Sequence, residues 1–171
     1  NMEIVTYVRT GAISHRDSLG NEGRTPGGDV QVMSAGTGIQ HAEYNLEDEQ
    51  TTLFQIWIIP DAAGGQPNWG QRAFPKADRA GQWVTLASGK GEGDALPIRA
   101  DAKVLGATLE AGETLTYDAD PTRHIYLVPA TGAITINGIP ANARDGIAIT
   151  GEERLVIEAV DEAELVLVDA R

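Results

Sequence analysis

The 171-residue chain reads as an all-β protein of sandwich or barrel type. Short apolar runs recur along it, glycine-rich turns separate them, and sustained helical periodicity is nearly absent. Many short strands spaced this regularly are the mark of closed or double-layered β architectures, which leave few free edges.

Taken in order, the first strands are expected at Glu3–Arg9 and Ala12–Asp17, broken by Gly11, and at Asp29–Met33 after the Pro26-Gly27-Gly28 turn. His41–Tyr44 and Thr52–Ile59 come next. Further along, strands are expected at Gln82–Ala87, Ala102–Leu109, Thr114–Tyr117, His124–Val128, Ala133–Ile136, Gly146–Ile149, Leu155–Ala159 and Ala163–Val168. Turn signals at Leu19-Gly20-Asn21, Ala111-Gly112, Asn137-Gly138 and Asp145-Gly146 bound them. Asn137-Gly138 is the sharpest, because a two-residue type I′ hairpin needs φ > 0 at both central positions. Residues 60–81 carry no sustained period and read as a connector, with Trp69 and Phe74 packed along it or lidding a pocket. The resulting division is a first β unit over 1–59, a connector over 60–81 and a second β unit over 82–171.

A weak internal repeat links the two β units. Tyr7–Ser14 followed by Gly28–Val32 corresponds to Val128–Thr135 followed by Asp145–Ile149, with a strand, a glycine turn and a strand in each. A duplicated β module accounts for this. Carried onward, the alignment sets His41 against an apolar stretch near Ile157, so any site belongs to the first copy.

Composition narrows the function. The formal charge of −12, with 13 Lys and Arg residues that never form a run, argues against nucleic acid or an anionic membrane as a direct partner. Absence of cysteine removes disulfides, thiolate metal sites and cysteine nucleophiles. No apolar stretch approaches the roughly 20 residues that span a bilayer. A soluble cytoplasmic protein is the expectation.

The most informative stretch is Gly28–Asn45. In an extended segment alternate side chains share one face, so His41 and Glu43 point into the same space. An imidazole nitrogen beside a carboxylate oxygen is half of a first-row transition-metal site. The same spacing is also common in surface hydrogen-bonded pairs, and spacing alone leaves both readings open.

Three segments carry a family resemblance: Met2–Val8, His15-Arg16-Asp17-Ser18-Leu19-Gly20-Asn21, and Gly28–Glu43. Together they resemble the pirin-type bicupins, and looser similarity continues through Asn137-Gly138 to Glu164–Asp169. Gly28, Gly36, His41 and Asn45 also resemble the second cupin motif, with Ser34 where cupins in general have proline. The resemblance implies two cupin barrels and a mononuclear centre of three histidines and one glutamate. His41 and Glu43 match two of those ligands. The other two belong to a His-Pro-His motif preceding the segment that matches Met2-Glu3, so the first barrel is expected to be incomplete here and the chain to continue before Asn1. With two ligands of four, the metal is expected to be held weakly or to be missing from the chain as given.

The resemblance also implies a quercetin 2,3-dioxygenase activity, in which one divalent transition metal orients a flavonol, Glu43 takes the proton of its hydroxyl, and O₂ opens the ring with loss of carbon monoxide. Iron is the leading metal, with manganese, nickel, cobalt, copper and zinc as alternatives. A small aromatic, flavonol-like molecule and O₂ are the expected reaction partners. The alternative is a non-catalytic, metal-bearing regulator acting through a protein partner; self-association into a homo-oligomer is a further expectation. Among the remaining residues, His15 is expected to order the Asp17–Asn21 turn, and His124 to be a strand or core-edge residue. Glu3 is expected to orient a ligand or face solvent, Glu47-Asp48-Glu49 to form a solvated turn, and Trp57 to pack between the halves.

Overall fold

The computed structural model describes all residues, 1–171. It is built from β-strands with one 3-10 turn at Lys76–Arg79, and no helix is long and apolar enough to cross a membrane. Two compact units emerge: Asn1–Pro75 with Ala87–Asp101, and Lys76–Leu86 with Ala102–Arg171.

In the first unit, β1 (Glu3–Thr10), β2 (Ala12–Asp17), β3 (Glu22–Pro26), β4 (Val30–Ser34), β5 (His41–Tyr44), β6 (Thr52–Ile58) and β7 (Asn68–Arg72) form two antiparallel sheets. One has the order β6-β1-β4-β7 and the other β3-β2-β5. Strand β1 is central and its apolar residues Ile4, Val5, Tyr7 and Val8 are buried on both faces. β8 (Val84–Ser88) and the two-residue β9 (Leu96–Pro97) pair in parallel through Ala87 and Leu96.

Two strands of this unit lie outside the expected set. Glu22-Gly23-Arg24-Thr25-Pro26 shows no apolar alternation, yet pairs with β2 along its whole length. Strand β7 lies inside the expected connector and completes the first sheet against β4. Trp69 and Gln71, which share one side of that strand, are one apolar and one polar, so the two-residue period is invisible in the sequence. The expected connector is shared between the units, residues 60–75 with the first and 76–81 with the second, while 87–101 return to the first.

The second unit contains β10 (Ala102–Leu109), β11 (Thr114–Asp118), β12 (His124–Thr131), β13 (Ile134–Ile136), β14 (Ile139–Ala141), β15 (Ile147–Thr150), β16 (Arg154–Ala159) and β17 (Ala163–Ala170). β15-β12-β17-β10 run side by side, and β11-β16-β13-β14 form the facing sheet. Leu105, Leu109, Leu127, Ile134, Leu155, Ile157, Leu165 and Leu167 fill its core. The β13–β14 hairpin turns at Asn137 (φ 47°) and Gly138 (φ 81°), the left-handed pair a type I′ turn requires. His124 is exposed at the start of β12.

The repeat is visible in the pairing. β1 lies between β4 and β6 as β12 lies between β15 and β17, and β2 lies between β3 and β5 as β13 lies between β14 and β16. The equivalent turns hold Gly11 at φ 70° and Gly132 at φ 75°.

Two residues depart from expectation. Glu3 does not face solvent: it is 1% exposed and accepts hydrogen bonds from Ser34 Oγ at 2.6 Å and the Arg99 backbone N–H at 3.1 Å. The register sets Ser34 directly across from Glu3, which explains a hydroxyl where the general cupin motif has proline. Trp57 does not pack between the halves; it is 64% exposed on the outer strand β6, with its indole N–H donated to Gln55 Oε1 at 3.0 Å.

In the second unit, burial pushes the Glu164 carboxyl up to about 7, with the Lys76 ammonium 2.9 Å away opposing it. A carboxyl whose folded value lies above its unfolded one binds more protons when folded, so its contribution to stability falls as pH rises between about 4.5 and 7. Thermal unfolding across that window is expected to show a declining midpoint for the parent chain and a flatter profile for Glu164→Gln.

Candidate metal centre

The antiparallel register of β2 and β5 places Cα of His15 opposite Glu43 and Cα of Asp17 opposite His41. Because side chains alternate along a strand and cross-strand partners share a face, these four residues project to one side of the sheet. His15, His41 and Glu43 each bring one metal-ligating atom within 4.8 Å of the others. The His15 and His41 ring centroids are 5.7 Å apart. His15 is buried, Glu43 half-buried and His41 exposed, so the cluster opens at His41.

The facing sheet supplies the opposite wall. Across β6-β1-β4-β7 the registers align Gln55, Thr6, Gln31 and Gln71 in one row, and Trp57, Ile4, Met33 and Trp69 in the next inward row. The polar row reaches Glu43. Gln31 Nε2 donates a short hydrogen bond to Glu43 Oε1, and Gln55 Nε2 donates to Oε2 at 3.0 Å. The Gln31 amide turns its N–H toward Glu43 and its Oε1 toward Thr25 Oγ1, 3.2 Å away, a hydroxyl that lies 2.8 Å from Gln71 Oε1. Two amide donors, one on each oxygen, hold the Glu43 carboxylate in place.

Asp17 secures the other end. Its Oδ1 accepts the backbone N–H of Leu19 at 2.9 Å and of Asn21 at 3.1 Å, and its Oδ2 accepts Asn21 Nδ2 at 2.9 Å. His15 Nε2 completes the set at 3.0 Å from Oδ2. Burial alone would raise the Asp17 carboxyl, but the hydrogen bonds from Asn21, His15 and the Asn21 and Leu19 backbone outweigh it and hold it near 2. Asp17 therefore orders the Asp17–Asn21 turn, with His15 attached to it, and His15 also stands in the ligand cluster. An ionised carboxylate only accepts, so Nε2 donates in this contact and Nδ1 is the other ring nitrogen. That Nδ1 is buried with no hydrogen-bond partner, an arrangement that costs about 1–3 kcal/mol if nothing fills it.

A donor set of two imidazoles and a carboxylate suits a divalent transition metal, and the unsatisfied buried nitrogen beside it agrees with that chemistry. Of these residues, sequence reasoning places His41 and Glu43 together correctly on a shared wall. It misses the glutamines and the inclusion of His15. The available signal is Gln31 itself, a buried amide between Val30 and Val32, which needs a polar partner inside. Asn45 closes the following loop, accepting from the Glu47 N–H at 3.0 Å and donating to the Glu49 carbonyl at 2.9 Å. Glu47 is drawn from the expected solvated turn into a two-pronged ion pair with Arg24.

Trp69 stacks on His15 with ring centroids 4.7 Å apart and planes 8° from parallel. Gly23, paired with His15 from β3, makes room for that indole: a Cβ there would sit 2.2 Å from Trp69 Cη2 and 3.0 Å from Cζ2. Gly23→Ala is expected to displace Trp69 from the His15 ring and to destabilise the chain by about 1–3 kcal/mol, as overpacking does. Urea unfolding together with near-ultraviolet circular dichroism of the indoles measures both effects.

The chain matches the Pirin family over residues 1–58 and the quercetinase C-terminal cupin domain over residues 85–170. It is 63% identical over 171 residues to a pirin-like protein of Caulobacter vibrioides, covering 99% of this chain and 74% of that one. Quercetin 2,3-dioxygenase of Escherichia coli K12 is 36% identical over 170 residues, covering 99% and 72%. The crystal structure of bacterial pirin YhhW from Escherichia coli in complex with nickel(II) superposes with a TM-score of 0.91 at 35% identity, over 99% of this chain and 72% of that one. Motif, fold and relatives therefore agree, and this chain belongs to the pirin family of the cupin superfamily.

Proposed function

We propose that this protein serves as a metal-dependent dioxygenase of quercetin 2,3-dioxygenase type, with His41 and Glu43 among the ligands of one divalent ion and Glu43 as the base. The observation that carries this reading is the suspension of Glu43 between two glutamine amides, beside two histidines, in a cluster exposed at His41. The names of the relatives support the substrate class: several are quercetin 2,3-dioxygenases or proteins named as such.

A divalent cation bound here supplies positive charge and Lewis acidity that favour an ionised substrate hydroxyl and bring the substrate together with O₂. The remaining work falls to side chains. Glu43 receives the hydroxyl proton, and Gln31 and Gln55 keep its oxygens aimed while it does so. Neither amide is basic enough to take that proton, so of these three side chains Glu43 is the acceptor. Trp57, 64% exposed and two residues along β6 from Gln55, offers an aromatic face for a planar aromatic molecule. Exposed His41 and Trp57 leave the entrance open to a ligand of that shape.

The test is to supply the protein with iron, manganese, nickel, cobalt or copper and to monitor quercetin absorbance together with O₂ uptake. Turnover is expected for the parent protein and loss of at least a hundredfold for Glu43→Gln, the scale on which general-base contributions fall (roughly 10²–10⁴). His41→Ala is expected to lose metal and turnover together. Metal binding without consumption of O₂ across a range of phenolics would instead support the regulatory reading.

A further inference from the structure

We propose that Gln55 is a positioning residue that couples a planar aromatic substrate on Trp57 to the Oε2 oxygen of Glu43, while Gln31 anchors Oε1. This rests on the reading of Glu43 as the base and names the residue through which the shape of the substrate is sensed.

The two glutamines that hold Glu43 differ in their surroundings. Gln31 is 3% exposed and turns its Oε1 to the buried Thr25 hydroxyl, so both ends of its amide are engaged inside the protein. Gln55 and Trp57 are exposed and stand two residues apart on the outer strand β6. The Trp57 indole N–H donates to Gln55 Oε1 at 3.0 Å, and Gln55 Nε2 donates to Glu43 Oε2 at 3.0 Å. An indole N–H only donates, so it fixes which end of the Gln55 amide faces it and leaves the NH₂ for the carboxylate. An unbroken chain of hydrogen bonds thus runs from an exposed aromatic ring to one oxygen of Glu43. Holding the strand does not require this chain, because β6 pairs with β1 through its backbone from Thr52 to Ile58.

While Gln55 and Trp57 are exposed, water competes for both bonds. A planar aromatic molecule laid on the indole excludes that water, and hydrogen bonds shielded from solvent strengthen. A ligand shifts such an equilibrium only by contacting one state better than the other. Here the favoured state is the one in which the Trp57–Gln55–Glu43 chain is intact under the bound ring. Oε2 is therefore aimed when a flat substrate is present, and selectivity for flat rings enters at Trp57 rather than at the metal ligands.

The experiment follows side-chain N–H resonances by heteronuclear NMR as quercetin is added to the protein loaded with Zn(II), a metal without redox chemistry. The Trp57 indole and Gln55 amide resonances are expected to move together, and the Gln31 amide to move least. In Trp57→Phe, which keeps a ring and lacks the indole N–H, the Gln55 shift is expected to vanish while quercetin still binds. Turnover with iron gives the second readout, in variants at exposed positions that leave the core intact. Gln55→Leu and Trp57→Phe are expected to lower kcat roughly tenfold with KM little changed, and Trp57→Leu to raise KM roughly threefold to tenfold as well. Trp57 and Gln55 resonances that stay in place at quercetin concentrations supporting turnover would overturn the coupling. Full kcat in Gln55→Leu beside an inactive Glu43→Gln would do the same, and the dioxygenase reading survives either result. An unmutated protein that consumes no O₂ with any of the metals would instead overturn that reading, and with it this one.

Discussion

Register between β2 and β5 is the constraint on which the site depends. Pairing His15 with Glu43 and Asp17 with His41 places four chemically active side chains on one face within two residue steps. A slip of one residue would send one strand's pair to the opposite face, because strand side chains alternate with a period of two. The Asp17 turn, where one carboxylate accepts hydrogen bonds from Leu19, Asn21 and His15, fixes the end of β2 as the chain turns into β3. Ser18 ties that end to β5, donating its N–H to the Gln40 carbonyl at 2.8 Å and accepting the Gln40 N–H on Oγ at 3.1 Å. The residue that ties down the strand end is therefore also the one that orients the buried histidine. Stability and site geometry share a single set of bonds.

Comparison of the two modules shows what that arrangement displaces. Counting from the matching glycine turns, His15 corresponds to Ile136, and the pair His15–Glu43 to the pair Ile136–Ile157. The position of His41 corresponds to Leu155. All three counterparts are buried aliphatic residues in the second unit's core. Fully burying such side chains stabilises a fold by about 1.5–3 kcal/mol each. In the first unit those positions hold imidazoles and a carboxylate instead, supported by Gln31, Gln55 and Thr25 across the pocket. One architecture thus holds a polar cluster in one copy and a continuous apolar core in the other.

Polar satisfaction also explains details of sequence that periodicity leaves obscure. Gln31 sits in a strand whose every residue is buried, and its amide is used at both ends. Ser34 and Glu3 pair across β4 and β1, so a buried carboxylate meets a hydroxyl and the Arg99 backbone rather than solvent. Trp57, apolar enough to suggest a packed residue, lies instead on an outer strand beside Gln55, whose amide carries the contact on to Glu43.

The amino-acid sequence by itself determined the all-β class, most strands, the Asn137-Gly138 hairpin, the duplicated module and the common wall of His41 and Glu43. Each of these is local: alternation, turn chemistry and i, i+2 spacing are properties of a few consecutive residues. The strands Glu22–Pro26 and Asn68–Arg72, the glutamine clamp on Glu43, the exposure of Trp57 and the inclusion of His15 were decided only in three dimensions. They depend on which strand edges meet and in what register, and a polar strand acquires its identity only from the neighbour that completes its hydrogen bonds.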